Sequence, residues 1–178
     1  MSKDKEQSQK SIDTTYSNNL LPDESIDYEA WTEFFSYYRY YIDEFAELLG
    51  VNLFPFQKVI LRAMARGQFS VLIACRGIGK SFIVAVFYIC VCILYPNAKC
   101  GIASGNSQQA RNVIIQKIKG ELAKNESIAR EIDFPIKTGA DDCYCEFMGG
   151  SEVRAITLAQ DRGGDSARSW RFNYLLVD

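Results

Sequence analysis

Eight residues concentrate the chemistry of this chain: Ala74-Cys75-Arg76-Gly77-Ile78-Gly79-Lys80-Ser81. Glycines let a backbone turn its N–H groups inward and approach an anion closely. A helix that begins at the lysine points its positive end at the same place. Lys80 would set a point charge on the β- and γ-phosphates of a nucleotide, and Ser81 would offer a hydroxyl to Mg²⁺. The pattern is Gly-x-x-x-x-Gly-Lys-[Ser/Thr], with Ala74 standing where the first glycine belongs. The flanks match what such a loop requires. A β-type run, residues 69–74, precedes it, and a long apolar run follows.

Three further residues extend this chemistry. Asp178 follows four strand-type residues, which would put it at the sheet's C-terminal edge beside the loop, where it could hold Mg²⁺. A plain strand-end aspartate gives the same pattern. Arg76 lies four residues before Lys80, and a guanidinium there could reach the γ-phosphate and stabilise transition-state charge. A solvated loop arginine is the simpler alternative. Gln57, between Phe56 and Lys58 and close to Phe54, could pair its amide with the N6/N7 edge of adenine while a ring stacks on the base. It serves equally as a helix-start glutamine beside core phenylalanines. Arg111, Lys117, Lys119, Lys124 and Arg130 could meet a DNA backbone, or form a solvated helix face. Arg162, Arg168 and Arg171 fall in a Gly- and Asp-rich stretch that reads as a surface loop, suited to contacts with DNA or a neighbouring subunit.

The elements that must position these residues can be read from periodicity. Residues 1–28 are polar without apolar rhythm and read as a flexible tail. Residues 29–49 place Trp31, Phe34, Phe35, Tyr38, Ile42, Phe45 and Leu49 at steps of mostly three or four, an amphipathic helix that Gly50 would stop. A second helix is expected over 57–65. A third, from about Lys80 to Tyr95, is apolar all round and too short for the ~20 residues of a membrane span. Residues 99–104 read as a strand and 108–124 as one helix. Residues 143–148 and 152–158 alternate about Gly149-Gly150-Ser151, a β-hairpin. Residues 174–177 read as a last buried strand. The order predicts an α/β fold of the P-loop NTPase kind, with a parallel central sheet flanked by helices and an inserted β-hairpin.

Composition narrows the classes. The net charge of −2 does not suggest a general nucleic-acid binder, but residues 58–124 carry ten basic side chains and one acidic, around the loop. With no histidine, Ser-His and Cys-His catalysis are excluded, as is any zinc site using imidazole. The pairs Cys90/Cys92 and Cys143/Cys145 could join in a four-thiolate site. Buried thiols in a reducing compartment are the plainer expectation. The polar, charged start carries no secretory signal pattern.

Several motifs in order resemble the large subunit of tailed-phage terminases. They are Tyr37-Tyr38-Arg39; Leu53-Phe54-Pro55-Phe56-Gln57-Lys58; Ile73 through Ser81; Ile102-Ala103-Ser104-Gly105 with Gln109-Ala110-Arg111; and Leu175-Leu176-Val177-Asp178. The resemblance covers roughly residues 30–178. It implies the N-terminal ATPase domain of a motor that drives double-stranded DNA into a capsid, with ATP and Mg²⁺ as cofactors. It implies an adenine-binding role for Gln57 with Phe54, phosphate binding by Gly77, Gly79, Lys80 and Ser81, and Mg²⁺ held by Ser81 and Asp178. It also implies a cis-acting arginine finger at Arg76. Portal protein, small terminase subunit, a homo-oligomeric ring and the bacterial host cytoplasm follow from the same resemblance, with no membrane part. The family's next residue is a glutamate that activates water. The sequence stops at Asp178, and the nuclease domain is not in it, so the expectation is ATP binding without hydrolysis. Two other functions fit the same residues: a fragment of a superfamily 2 helicase-like translocase, and a non-catalytic module that caps a motor ring through the aromatic helix 29–49.

Overall fold

The computed structural model describes residues 27–140, 142–157 and 171–177. Helix α1 (Tyr28–Tyr40) is followed by α2 (Ile42–Leu48), α3 (Pro55–Arg66) and α4 (Lys80–Leu94). Strand β1 (Lys99–Ser104) leads to α5 (Ser107–Asn112), a π-helical segment (Val113–Lys119), a 3-10 turn (Leu122–Lys124) and α6 (Glu126–Ala129). Strands β2 (Ile132–Thr138), β3 (Cys143–Phe147), β4 (Glu152–Thr157) and β5 (Tyr174–Val177) complete the order. By its contacts the chain divides into Met1–Phe34 and Phe35–Asp178. In the first unit the rings of Trp31 and Phe34 meet edge to face, with centroids 5.6 Å apart.

The second unit is built on α4. Its residues Ile83 through Cys92 and Leu94 are all buried, so it is a helix apolar on every side that finds cover on every side. The cover comes from α2, α3, the π-helical segment, β1 and β4. Its C-terminal end is held by Arg39, whose Nε and Nη2 donate to Leu94 O at 3.0 and 2.8 Å while the guanidinium lies 4.5 Å from the Tyr95 ring centroid. A cation at the carbonyl end of a helix also opposes its dipole.

The sheet has the order β2-β3-β4-β1-β5. Strand β1 runs parallel to β4 on one side and to β5 on the other, with Ile102 opposite both Ala155 and Leu176. The expected hairpin is β3 and β4, paired antiparallel with Cys145 opposite Val153. Buried Ser151 ties its turn to the end of α4, donating to Tyr95 O at 2.8 Å and accepting from Ala98 N at 3.0 Å.

Five details differ from the sequence expectations. The helix over 29–49 is two helices, broken at Tyr41 (φ −109°, ψ 61°). Its stop is as expected: Gly50 (φ 84°) donates to Glu47 O at 2.8 Å and Val51 to Ala46 O at 3.0 Å, a Schellman closure. The helix over 108–124 changes to π geometry at Val113 and ends before Gly120. Strand β2 has no counterpart in the sequence reading, because Pro135 in its middle argues against a strand; it lies at the sheet edge, where a proline needs no ladder partner, and its pairing with β3 is irregular between Asp133 and Lys137. Residues 69–74 are not a sheet strand: among the described residues they have no strand partner, and their apolar side chains face solvent. The expectation that β5 is buried is likewise corrected, since Leu175 and Val177 are exposed on one face of a strand paired along one edge. Residues 1–26, Asp141, 158–170 and Asp178 lie outside the described residues, and with them most of the tail, Arg162, Arg168 and the expected Mg²⁺ aspartate.

Candidate phosphate-binding site

Residues 74–79 turn back on themselves and deliver the chain into α4. Two glycines make the turn possible. Gly77 (φ 86°) and Gly79 (φ 88°) both sit in the left-handed region, where a side chain is strained. Nothing lies within 4 Å of where a Gly77 Cβ would stand, so the space above that residue is open. Gly79 is the N-cap of α4, and its carbonyl accepts from Ile83 N at 2.9 Å. The first amides of α4 therefore have no intrahelical acceptor, and the helix presents its positive end to the loop.

Lys80 is half-buried and folds back across the loop. Its Nζ donates to Ala74 O and Cys75 O, both at 2.9 Å. This ammonium is held by the carbonyls that open the loop. Sequence reading missed that the two carbonyls hold the lysine; a backbone acceptor leaves no mark in the sequence. Arg76 is exposed in the turn, Cys75 is an exposed free thiol, and Ser81 is exposed at the first turn of α4.

Gln57 joins this group from α3. It is 6% exposed, and its Oε1 accepts from Phe54 N at 2.9 Å, so the N3 glutamine satisfies the N-cap amide at the start of that helix. Its Nε2 is 3.4 Å from where a Gly79 Cβ would be, so the amide lies against the glycine loop. Helix α3 is pinned to α2 by Arg62, whose Nε donates to buried Asp43 Oδ1 at 2.6 Å and whose Nη2 donates to Glu44 Oε1 at 3.2 Å. A Lys58–Glu47 ion pair at 2.6 Å adds a second tie. Phe54 and Phe56 are exposed, with rings nearly parallel (8°) and centroids 6.0 Å apart. The structure thus brings Gln57, Gly79 and Lys80 together, with the two phenylalanines flanking Gln57.

At the sheet's C-terminal edge, Ser104 ends β1 fully buried. Its Oγ donates to Gln109 Oε1 at 3.1 Å and accepts from Asn106 N at 3.3 Å. The signal for it in the sequence is a polar residue closing an apolar strand. Arg111 donates from Nη2 to Thr138 O at 3.0 Å, and Lys117 pairs with Glu121 at 2.7 Å, so part of the basic group after β1 serves internal contacts. Among the described residues no three or more His, Cys, Asp or Glu are grouped to hold a metal. None of the helices of the described residues is long and apolar enough to cross a membrane.

A glycine-lined turn between an apolar run and a buried helix, on a sheet with a parallel core, is the α/β fold of the P-loop NTPases. No family model and no curated protein matches the chain. Among solved structures the chain is similar to the ATPase domain of the large terminase of Thermus phage P74-26, with 20% identity and a TM-score of 0.51. The match covers 76% of this chain and 57% of that one, so the chain spans less than two thirds of that domain. The fold is terminase-like.

Proposed function

We propose that this chain is the ATP-binding portion of a phage DNA-packaging motor. The observation that carries the reading is the loop itself: two left-handed glycines lead into the N-terminus of a helix buried from Ile83 to Cys92, with the Lys80 ammonium held 2.9 Å from the Ala74 and Cys75 carbonyls. These groups fit a triphosphate. The open space above Gly77 admits phosphate oxygens to the backbone amides, and Lys80 exchanges its carbonyl partners for the β- and γ-phosphates.

Bound at this place, ATP meets the Gln57 amide on the α3 side. Gln57 Oε1 keeps a second lone pair beside the one engaged by Phe54 N, and with Nε2 it can address the adenine edge. The exposed ring of Phe54 is available to stack on the base. Ser81 would give its hydroxyl to Mg²⁺, with Asp178 as the second ligand; the ion would supply charge neutralisation to the phosphates. Arg76 would place its guanidinium on the γ-phosphate, an interaction worth most in the transition state. In a complete motor the consequence of that chemistry is movement of double-stranded DNA, with the portal protein, the small subunit and a ring of copies as partners.

The test is titration of a fluorescent ATP analogue in Mg²⁺ buffer. Lys80→Ala removes a charged donor and should weaken binding at least about tenfold, with the far-ultraviolet circular dichroism unchanged. Equal affinity in the variant would remove the phosphate-loop reading.

A further inference from the structure

Helix α3 carries Gln57 to the glycine loop, so whatever fixes α3 along its own axis decides where that amide stands. The side chain has little freedom of its own. Gln57 is buried and its Oε1 is tied to Phe54 N at 2.9 Å, so Nε2 moves only with the helix. Apolar packing does not set the axial position. Of the residues of α3 only Gln57 and Leu61 are buried, and hydrophobic burial is non-directional.

Charges set it instead. Lys58 and Arg62 stand one turn apart on α3, and Asp43 and Glu47 one turn apart on α2. Lys58 pairs with Glu47 at 2.6 Å and Arg62 with Asp43 at 2.6 Å, so the helices run antiparallel along a seam with two rungs. The rungs are unequal. The side chains of Lys58 and Glu47 are 34% and 40% exposed, and such a pair holds little. Asp43 is fully buried, and among the described residues its Oδ2 has no hydrogen-bond partner. Arg62 is the cation that compensates it, and a buried charge left uncompensated is strongly unfavourable, so α3 is bound to the register that puts Arg62 there. Arg62 is itself held from two further sides. Its Nη2 donates to Glu44 Oε1 at 3.2 Å, and its guanidinium lies 5.2 Å from the ring centroid of Tyr41, the residue at which α1 gives way to α2.

We propose that Arg62, with Asp43, is a positioning residue for base recognition: it locks α3 in the register that holds Gln57 against Gly79, and so sets the preference of the site for adenine over guanine nucleotides. The proposal rests on the nucleotide reading above. Adenine offers an N6 donor and an N7 acceptor, which match Gln57 Oε1 and Nε2. Guanine puts the O6 acceptor where N6 stood, against Oε1. A slip of one residue along α3 is about 1.5 Å, enough to carry a hydrogen bond of about 2.9 Å out of range. Lys80 and the loop amides belong to residues 74–81 and are not carried by α3. Loss of the pin therefore falls on the choice of base and spares the grip on phosphate.

The experiment measures the affinity of the full chain for ribose-labelled ATP and GTP in Mg²⁺ buffer, and for inorganic tripolyphosphate by competition. The chain should favour ATP over GTP at least about tenfold. Arg62→Met should lower that ratio at least about threefold, with tripolyphosphate affinity unchanged. Arg62→Lys keeps a cation for Asp43 and should retain the ratio. Lys58→Glu sets like charges across the outer rung, should lower the ratio by less, and decides the matter if Arg62→Met does not fold. Gln57→Ala should abolish the preference, and adding Arg62→Met to it should change the ratio no further, which a general loosening of the fold would not give. A ratio that stays at its original value in Arg62→Met, or in Lys58→Glu where the first variant does not fold, would overturn the positioning role and leave the nucleotide reading intact. A ratio lost as fully in Arg62→Lys as in Arg62→Met would make the effect one of packing and overturn the role as well. Equal tripolyphosphate affinity with and without Lys80→Ala would overturn the nucleotide reading itself, and this proposal with it.

Discussion

Two apolar regions flank the glycine loop of residues 74–79, and they meet opposite fates. Helix α4 has Ile83 to Cys92 buried without a break, while Val71 and Ile73, a few residues earlier, stand about nine-tenths exposed. The side chains are of the same kind; what differs is the number of elements that reach them. Helix α4 is touched by two helices, the π-helical segment and two strands, and residues 69–74 have no strand partner among the described residues. Hydrophobic composition states that a segment is to be covered. The cover itself has to come from other parts of the protein.

The most direct way to break this comparison is to shorten the same residue type on both sides. Ile89→Ala empties a site that is 1% exposed and should destabilise the domain by about 3 kcal/mol. Ile73→Ala removes the same atoms from solvent and should stay within about 0.5 kcal/mol. Urea denaturation with a common m-value measures both. A large loss for Ile73→Ala would mean that 69–74 is already packed in solution, and the contrast would fail.

The next effect lies at the joint between the regions. Gly79→Ala forces a Cβ into a left-handed residue and toward Gln57 Nε2, and should cost about 1–2 kcal/mol. Gly105→Ala is the matched control: nothing lies within 4 Å of its Cβ position and its φ is ordinary, so it should be close to neutral. Equal melting temperatures for the two variants would show that the turn at Gly79 is not fixed as described. If the phosphate-loop reading holds, Gly79→Ala weakens ATP binding and Gly105→Ala does not.

These contrasts also mark what the sequence made legible. Helix α4, β1, the hairpin β3–β4 and β5 could be read because each has one dominant local signal, an unbroken apolar run or strict alternation about a Gly-rich turn. The break at Tyr41 and the π geometry after Asn112 could not, because both are tertiary adjustments of helices whose periodicity continues through them. Strand β2 was hidden by Pro135, which an edge strand tolerates. At the site, Lys80, Gly77 and Gly79 follow from their motif, and Gln57 takes a place beside Gly79 that its type allowed but did not require. The state of 69–74 was misread for a physical reason. Local composition states the propensity for a strand, and pairing depends on a neighbour elsewhere in the chain.

The smallest effect separates the exposed thiol next to the apolar run from the buried thiols of α4, β1 and β3. Cys75 in the loop is exposed, whereas Cys90, Cys92, Cys100, Cys143 and Cys145 are buried. A thiol reagent should therefore modify one cysteine at once and the other five only as the domain opens. Burial pushes the Cys145 thiol up to about 12, and it raises Cys90, Cys92 and Cys143 as well. The sign follows from proton binding. Below the unfolded value near 9 both states keep these protons, and pH has no leverage. Above it the unfolded chain releases them while the folded chain does not, so stability falls as pH rises. Between pH 7 and 8.5 the loss should remain below about 1 kcal/mol, steepening from pH 9 toward 12. Buried Tyr88, whose phenol donates to Gly101 O at 2.8 Å and is also raised, adds to the slope above pH 10. Urea midpoints at pH 7, 8.5 and 9.5 check the trend. A midpoint that does not fall between pH 7 and 9.5 would mean that the thiols around α4 reach solvent, and the buried half of the comparison would then be the one to give way.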